Sequence, residues 1–147
     1  MDIKVRPLVV TDRAAWDRLY AGYAEFYRVA QTPAMRDVVW AWLMDPAHAT
    51  KGFVAVADGG PVGLAHYRPY ARPLSASMGG FLDDLFVSPA ARGTGAAQAL
   101  IAAVADEGRA RGWSVIRWIT AQDNARARAV YDRVAVATPW VTYDIQL

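Results

Sequence analysis

At 147 residues the chain suits a single domain with a sizeable core, and 54% hydrophobic residues, with six Trp and seven Tyr, exclude a disordered chain. A net charge of +2 and a pI near 9.1 are too mildly basic to argue for nucleic acid, yet they suit an anionic small ligand. Without cysteine there is no disulfide, thiolate zinc site or cysteine nucleophile, and His48 and His66 lie too far apart for metal-ligand spacing, so no metal is expected.

Charges interrupt the opening residues 1–12, and no apolar run reaches the ~18 residues of a membrane helix. Neither signal peptide nor membrane span is expected, and the default location is cytoplasmic. Ile3 to Val10 alternates, is rich in β-branched residues and contains Pro7, which predicts an edge strand. Thr11 is the expected N-cap of a helix running to about Val29, with Trp16, Leu19, Tyr20, Tyr23, Phe26 and Tyr27 at helical spacing. Most of that stripe reads as core, but Glu25 and Tyr27 in its last turn are candidates to face a substrate. Thr32-Pro33 supplies an N-cap and a first-turn proline for a second helix, which Asp45-Pro46 stops. His48 then falls in a loop and reads as solvated.

Phe53 to Ala57 and Val62 to Tyr67 are predicted strands joined by the hairpin signal Asp58-Gly59-Gly60-Pro61. His66 reads as a structural strand residue. Arg68 to Leu74 is aromatic, basic and broken by prolines, and is expected to be an irregular loop that either touches a ligand or merely covers the surface. Met78 to Val87 is a further strand carrying Asp83 and Asp84. Strict alternation puts Asp83 with Leu85 and Val87, and Asp84 with Leu82 and Phe86 on the other face. Two adjacent carboxylates in an apolar strand are costly unless paired. One can form a structural ion pair. The other can bind or deprotonate an amine, and desolvation would raise its pKa in the way a general base needs.

Directly after this strand comes Arg92-Gly93-Thr94-Gly95-Ala96-Ala97, then a helix to about Arg111 with Gly112 as its C-cap. A strand that feeds a glycine turn opening a helix makes an anion site. The first helical N–H groups lack internal partners, the helix dipole favours negative charge, and glycine lets the backbone come close. The turn lacks the Lys of a P-loop, and Gln98 stands where a dinucleotide fingerprint needs its third glycine or alanine. The alternative is an ordinary strand–turn–helix connection. Trp113 to Thr120 is a following strand, parallel to the first of the unit. Asp123-Asn124 caps a helix over Asn124–Val134, and Trp140 to Ile145 is expected to be a closing strand.

The form that fits is [Q/R]-x-x-G-x-[G/A], here Arg92, Gly95 and Ala97, followed by N-x-x-A-x-x-x-Y, here Asn124, Ala127 and Tyr131. These two motifs, in this order, resemble those of the GCN5-related N-acetyltransferase (GNAT) family. The resemblance covers the whole chain. It implies an α/β (α+β) fold of order β-α-α-β-β-β-α-β-α-β, with a mixed, mostly antiparallel sheet of about six to seven strands and about four helices. It implies an acyl-CoA-dependent N-acetyltransferase using acetyl-CoA as co-substrate, with direct attack by a primary amine. The strand backbone at Leu85, Phe86 and Val87 would meet the pantetheine arm, and the loop from Arg92 through Gly93, Thr94, Gly95, Ala96 and Ala97 would bind the pyrophosphate. Asn124 and Ala127 would contact the cofactor, Tyr131 would protonate the departing thiolate, and Asp83 or Asp84 would lie near the ammonium. On charge alone, Arg126 or Arg128 would meet CoA phosphates.

The acidic pair and the segment Tyr23–Arg28 are similar to the branch that acetylates polyamines, diamines and histone-type lysines, which implies a homodimer built through C-terminal strands. The segment Val134-Ala135-Val136-Ala137 departs from the Gly-Phe that many relatives carry after the tyrosine. A non-catalytic acyl-CoA-sensing module on the same scaffold is the competing reading, and a nucleic-acid-binding domain is a third.

Overall fold

The computed structural model describes residues 2–147. The elements are β1 (Lys4–Pro7), α1 (Arg13–Phe26), α2 (Pro33–Met44), β2 (Lys51–Ala57), β3 (Gly60–Arg72), β4 (Ser77–Val87), α3 (Ala96–Arg111), β5 (Ile116–Arg117) and α4 (Ala125–Val134). Five strands form one sheet in the order β1-β2-β3-β4-β5, antiparallel except for the parallel pair β4–β5. This is the mixed α/β fold expected, with five strands among the described residues in place of six or seven.

Local chemistry explains most boundaries. Pro7 sits on an edge strand, where its missing N–H costs no ladder bond on the open side. Thr32 caps α2 by accepting the Met35 N–H at 3.2 Å. Gly112, at φ +72°, ends α3 in the left-handed conformation.

Several expectations need correction. Thr11 does not cap the first helix. Residues 10–12 form a single tight turn, and the side chain of Asp12 organises the corner by accepting the Val9 N–H at 2.9 Å. That helix also ends at Phe26, not near Val29, because Arg28 turns to φ +56°. Next, Arg68–Arg72 is no irregular loop. It continues β3 in register with β4, from Arg68 opposite Phe81 to Arg72 opposite Ser77. Finally, Trp140–Ile145 is not a strand, and β5 is two residues long. Strand propensity is expressed only where a partner edge is in reach, and the tail has none: Trp140, Val141, Tyr143 and Ile145 are all exposed.

The sheet is covered on both sides. Under α3 lie Phe53, Ala65, Tyr67 and Leu82, packed with Leu100 and Val104. On the other face α1 and α2 bring Trp16, Leu19, Trp40 and Leu43 onto Leu64 and Phe86. The two faces do not follow strict alternation along β4. His66 pairs with Asp84 but Tyr67 pairs with Leu82, so Asp83 is an extra, bulged residue. Leu82 therefore packs with Leu85 and Val87 beneath α3, and Asp83 reaches Arg68 on the opposite side. The expectation that the two aspartates occupy opposite faces is overturned: the bulge brings both to the α1 side.

Arg6 grips the buried Asp12 with two bonds of 2.7 and 2.9 Å. The side-chain bond to Arg6 is the largest influence holding the Asp12 carboxyl below its usual pKa, against the opposing effect of burial. Asp12→Asn should destabilise the fold by about 1–3 kcal/mol in denaturant unfolding. A depressed carboxylate stabilises above its unfolded pKa and loses that effect as pH falls through its folded value. The wild-type advantage over the variant should therefore be full at neutral pH and disappear in acid below the ordinary carboxylate range.

Candidate active site

β4 is hydrogen-bonded to β3 along its length, but to β5 only around Gly80 and Phe81. At that junction the Gly80 N–H bonds Val115 O at 2.9 Å, and a Cβ on Gly80 would stand 2.5 Å from the Trp113 ring. Glycine is required there because the indole occupies the space. Beyond residue 81 the two strands part, and the edge of β4 facing β5 has no strand partner. A cleft of about 480 Å³ opens in the gap.

Leu85, Phe86 and Val87 form one wall and Asn124, Ala127 and Tyr131 of α4 the other. Between them lie Arg92, Gly93 and Gly95 and the first turn of α3, Ala96 to Gln98. Gly93 and Gly95 take φ +80° and +86°, which side chains disfavour, and nothing lies within 4 Å of where their Cβ atoms would be. The loop thus faces open space with backbone alone, directly at the N-terminus of a sixteen-residue helix. Thr94 does not line the cleft. Its hydroxyl bonds Ala91 O and ties the turn together. Asn124 caps α4 through its side-chain oxygen, which accepts the Ala127 N–H, and its amide donates to the Tyr27 hydroxyl at 3.4 Å. That bond closes the lip of the cleft between α1 and α4.

The cleft is basic. Arg92, Arg126 and Arg133 line it, and Arg92 sits over the Phe26 ring at 5.5 Å. Arg128 turns away and donates to Gln122 O at 2.8 Å. Glu25 is exposed and does not line the cleft, whereas Tyr27 does. Phe26, Gln98, Val130 and Arg133 belong to the lining but were not singled out as site residues from the sequence. Helical spacing from Tyr131 and Ala127 would have found Val130, since 126, 127, 130 and 131 form one face of α4.

Burial pushes the Tyr131 phenol up to about 12, with Tyr27 adding to the shift. Its ring packs edge-on against Trp118 at 5.5 Å. Tyr131 therefore keeps its proton throughout the neutral range. The two aspartates, outside the cleft lining, are driven apart. Desolvation raises Asp83 despite its pairing with Arg68 at 3.1 Å. Burial would also raise Asp84, but bonds from His66 and Tyr20 outweigh it and hold that carboxyl below its usual range.

A sequence profile of the acetyltransferase (GNAT) family matches residues 16–135. This chain belongs to that family. The acetyltransferase is 28% identical over 143 residues to the D-amino-acid N-acetyltransferase HPA3 of Saccharomyces cerevisiae, across 96% of this chain and 89% of that one. It is 28% identical over 131 residues to an uncharacterized N-acetyltransferase, YhfO, of Bacillus subtilis, across 89% and 87%. Its fold superposes on a ribosomal-protein-alanine N-acetyltransferase from Brucella melitensis with a TM-score of 0.82 at 25% identity, covering 100% of both chains. Against the aminoglycoside N-acetyltransferase AAC(6')-Iy in complex with CoA the TM-score is 0.85 at 23% identity, across 99% and 95%. The chain is an acyl-CoA-dependent N-acetyltransferase.

Gly95→Val should weaken acetyl-CoA binding by at least about tenfold in calorimetry, since it forces a β-branched residue into a left-handed conformation and fills the mouth of α3. Unchanged affinity in a folded variant would show that the loop does not hold the diphosphate.

Proposed function

We propose that the acetyltransferase moves an acetyl group from acetyl-CoA to a small primary amine by direct attack, with no covalent enzyme intermediate. The observation carrying this reading is the backbone-lined, basic mouth of α3 joined by one cleft to the protonated Tyr131. The open left-handed glycines fit a diphosphate, because amide N–H groups and the helix dipole complement it without a Cβ intervening. The unpaired edge of β4 at Leu85–Val87 suits an extended amide-bearing arm. Acetyl-CoA held there supplies the acetyl group as an activated thioester.

The chain's own residues then divide the remaining work. A backbone N–H of the β4 edge, at or near Leu85, stabilises the developing oxyanion. Tyr131 keeps a proton at its phenol oxygen for the leaving sulfur, a modest contribution because a free thiol has a pKa of only about 8.5. An aspartate at the bulge takes part in binding or deprotonating the acceptor. The acceptor class rests on that acidic pair: polyamines, diamines and lysine-like amines fit it, and so do the D-amino acids and aminoglycosides for which relatives are named.

The same reading includes a homodimer. The tail 135–147 lacks regular structure and exposes alternate large apolar residues, and β5 has an unpaired outer edge. Pairing that edge with a second copy's tail would bury both.

Thiol release from acetyl-CoA should be measured with spermidine, diaminopropane, lysine, D-lysine and sisomicin. Turnover with at least one acceptor is expected, and acetyl-CoA binding without turnover on any would defeat the amine reading. Tyr131→Phe should lower kcat about ten- to hundredfold with little change in the KM for acetyl-CoA; an unchanged kcat would remove its acid role. Light scattering on the full chain should give twice the 16.1 kDa mass, and a monomer at micromolar concentration would end the dimer proposal.

A further inference from the structure

On the α1 side of the sheet, outside the cleft lining, Trp16, His66, Asp84 and Tyr20 form one run of hydrogen bonds. Trp16 Nε1 lies 2.9 Å from His66 Nε2. An indole N–H can only donate, so Nε2 presents its lone pair and the imidazole proton sits on Nδ1. Nδ1 stands 2.8 Å from Asp84 Oδ2 and donates to it. The Tyr20 hydroxyl donates to the same oxygen at 2.9 Å. Trp16 and His66 are 0% and 1% exposed, while the Asp84 side chain keeps 19% of its surface open.

Both ring nitrogens of His66 are therefore committed: Nε2 accepts from Trp16, and the Nδ1–H is aimed at Asp84. The groups facing Asp84 are Tyr20 and Tyr23 from α1, His66 from β3 and the neighbouring Asp83 of β4. Arg68, two residues farther along β3, is bonded to Asp83. The donors to Asp84 thus fix the direction in which its carboxylate points. Tyr20 stacks on Tyr23, and Tyr23 contacts Tyr27 at the lip of the cleft, so an aromatic wall joins this carboxylate to the acetyl-transfer site.

Building on the reading of a cationic amine acceptor, we propose that Trp16 and His66 are positioning residues that hold the Asp84 carboxylate in one orientation at the acceptor end of the site. The Trp16 N–H is the lock. By donating to Nε2 it keeps the imidazole proton on Nδ1, where it meets Asp84.

The test replaces that N–H alone, with Trp16→Phe, and leaves an aromatic ring in the hole. Imidazole nitrogen spectra of the wild type at about pH 8 should show the Nδ1–H tautomer alone. In the variant the two neutral tautomers should mix, and the KM of the best acceptor in the amine panel should rise about tenfold. The kcat and the KM for acetyl-CoA should not change. His66→Gln, which can accept from Trp16 and donate to Asp84, should keep the wild-type KM. An Nε2–H tautomer in the wild type would overturn the proposal, as would identical spectra and KM values in Trp16→Phe. Should Trp16→Phe not fold, the wild-type spectra and the KM of His66→Gln decide. The spectra need no substrate, so absence of turnover would count against the amine reading while the lock is still judged on its own.

Discussion

β4 has two edges with different fates. One is zipped to β3 from Ser77 to Val87, and the other meets β5 only beside Gly80 and Phe81. That asymmetry is enforced locally. Trp113 and Ile116 press on Gly80 and Gly108, where an added Cβ would come within 3 Å of the Ile116 side chain, so the strands are pinned at one end. Past the pin they separate, because α3 leaves β4 through the glycine turn and α4 packs back against α3. The unpaired edge, the glycine mouth of α3 and Tyr131 all border the resulting gap. Closing it by continued β4–β5 pairing would satisfy more backbone and leave no cleft.

The bulge at Asp83 is the second constraint. Without it, one carboxylate would be driven into the apolar layer under α3, where no partner waits and burial would keep it protonated. With it, both lie against α1, and their environments diverge. Arg68 takes up Asp83, while Tyr20 and His66 bond Asp84 and Trp16 holds the His66 ring from its other nitrogen. Two adjacent identical residues thus acquire different electrostatic characters from one extra residue in a strand.

Much of this was readable beforehand, and the reason is that short-range signals carried it. Thr32-Pro33, Gly112, Asn124 and the Asp58-Gly59 hairpin act within a few residues, so their chemistry is the same in any fold. The glycine loop before α3 was legible for a similar reason, since left-handed φ at 93 and 95 and a helix immediately after are local demands that leave few other choices. Corrections fell where the outcome depended on a distant partner. Arg68–Arg72 joins β3 because residues 77–81 lie alongside, despite Pro69. Trp140–Ile145 stays out of the sheet because no edge of the described chain meets it.

By itself, then, the amino-acid order determined the glycine mouth of α3, the cap and phenol of α4, the helix boundaries set by capping residues and the presence of two acids in β4. Tertiary structure decided which way those acids point, how far β4 and β5 stay paired, and which partners His66 takes. A histidine in an apolar strand has no assigned tautomer until a donor fifty residues away fixes it, as Trp16 does. Hydrogen-bond direction and strand register are properties of pairs, and a linear sequence names only one member at a time.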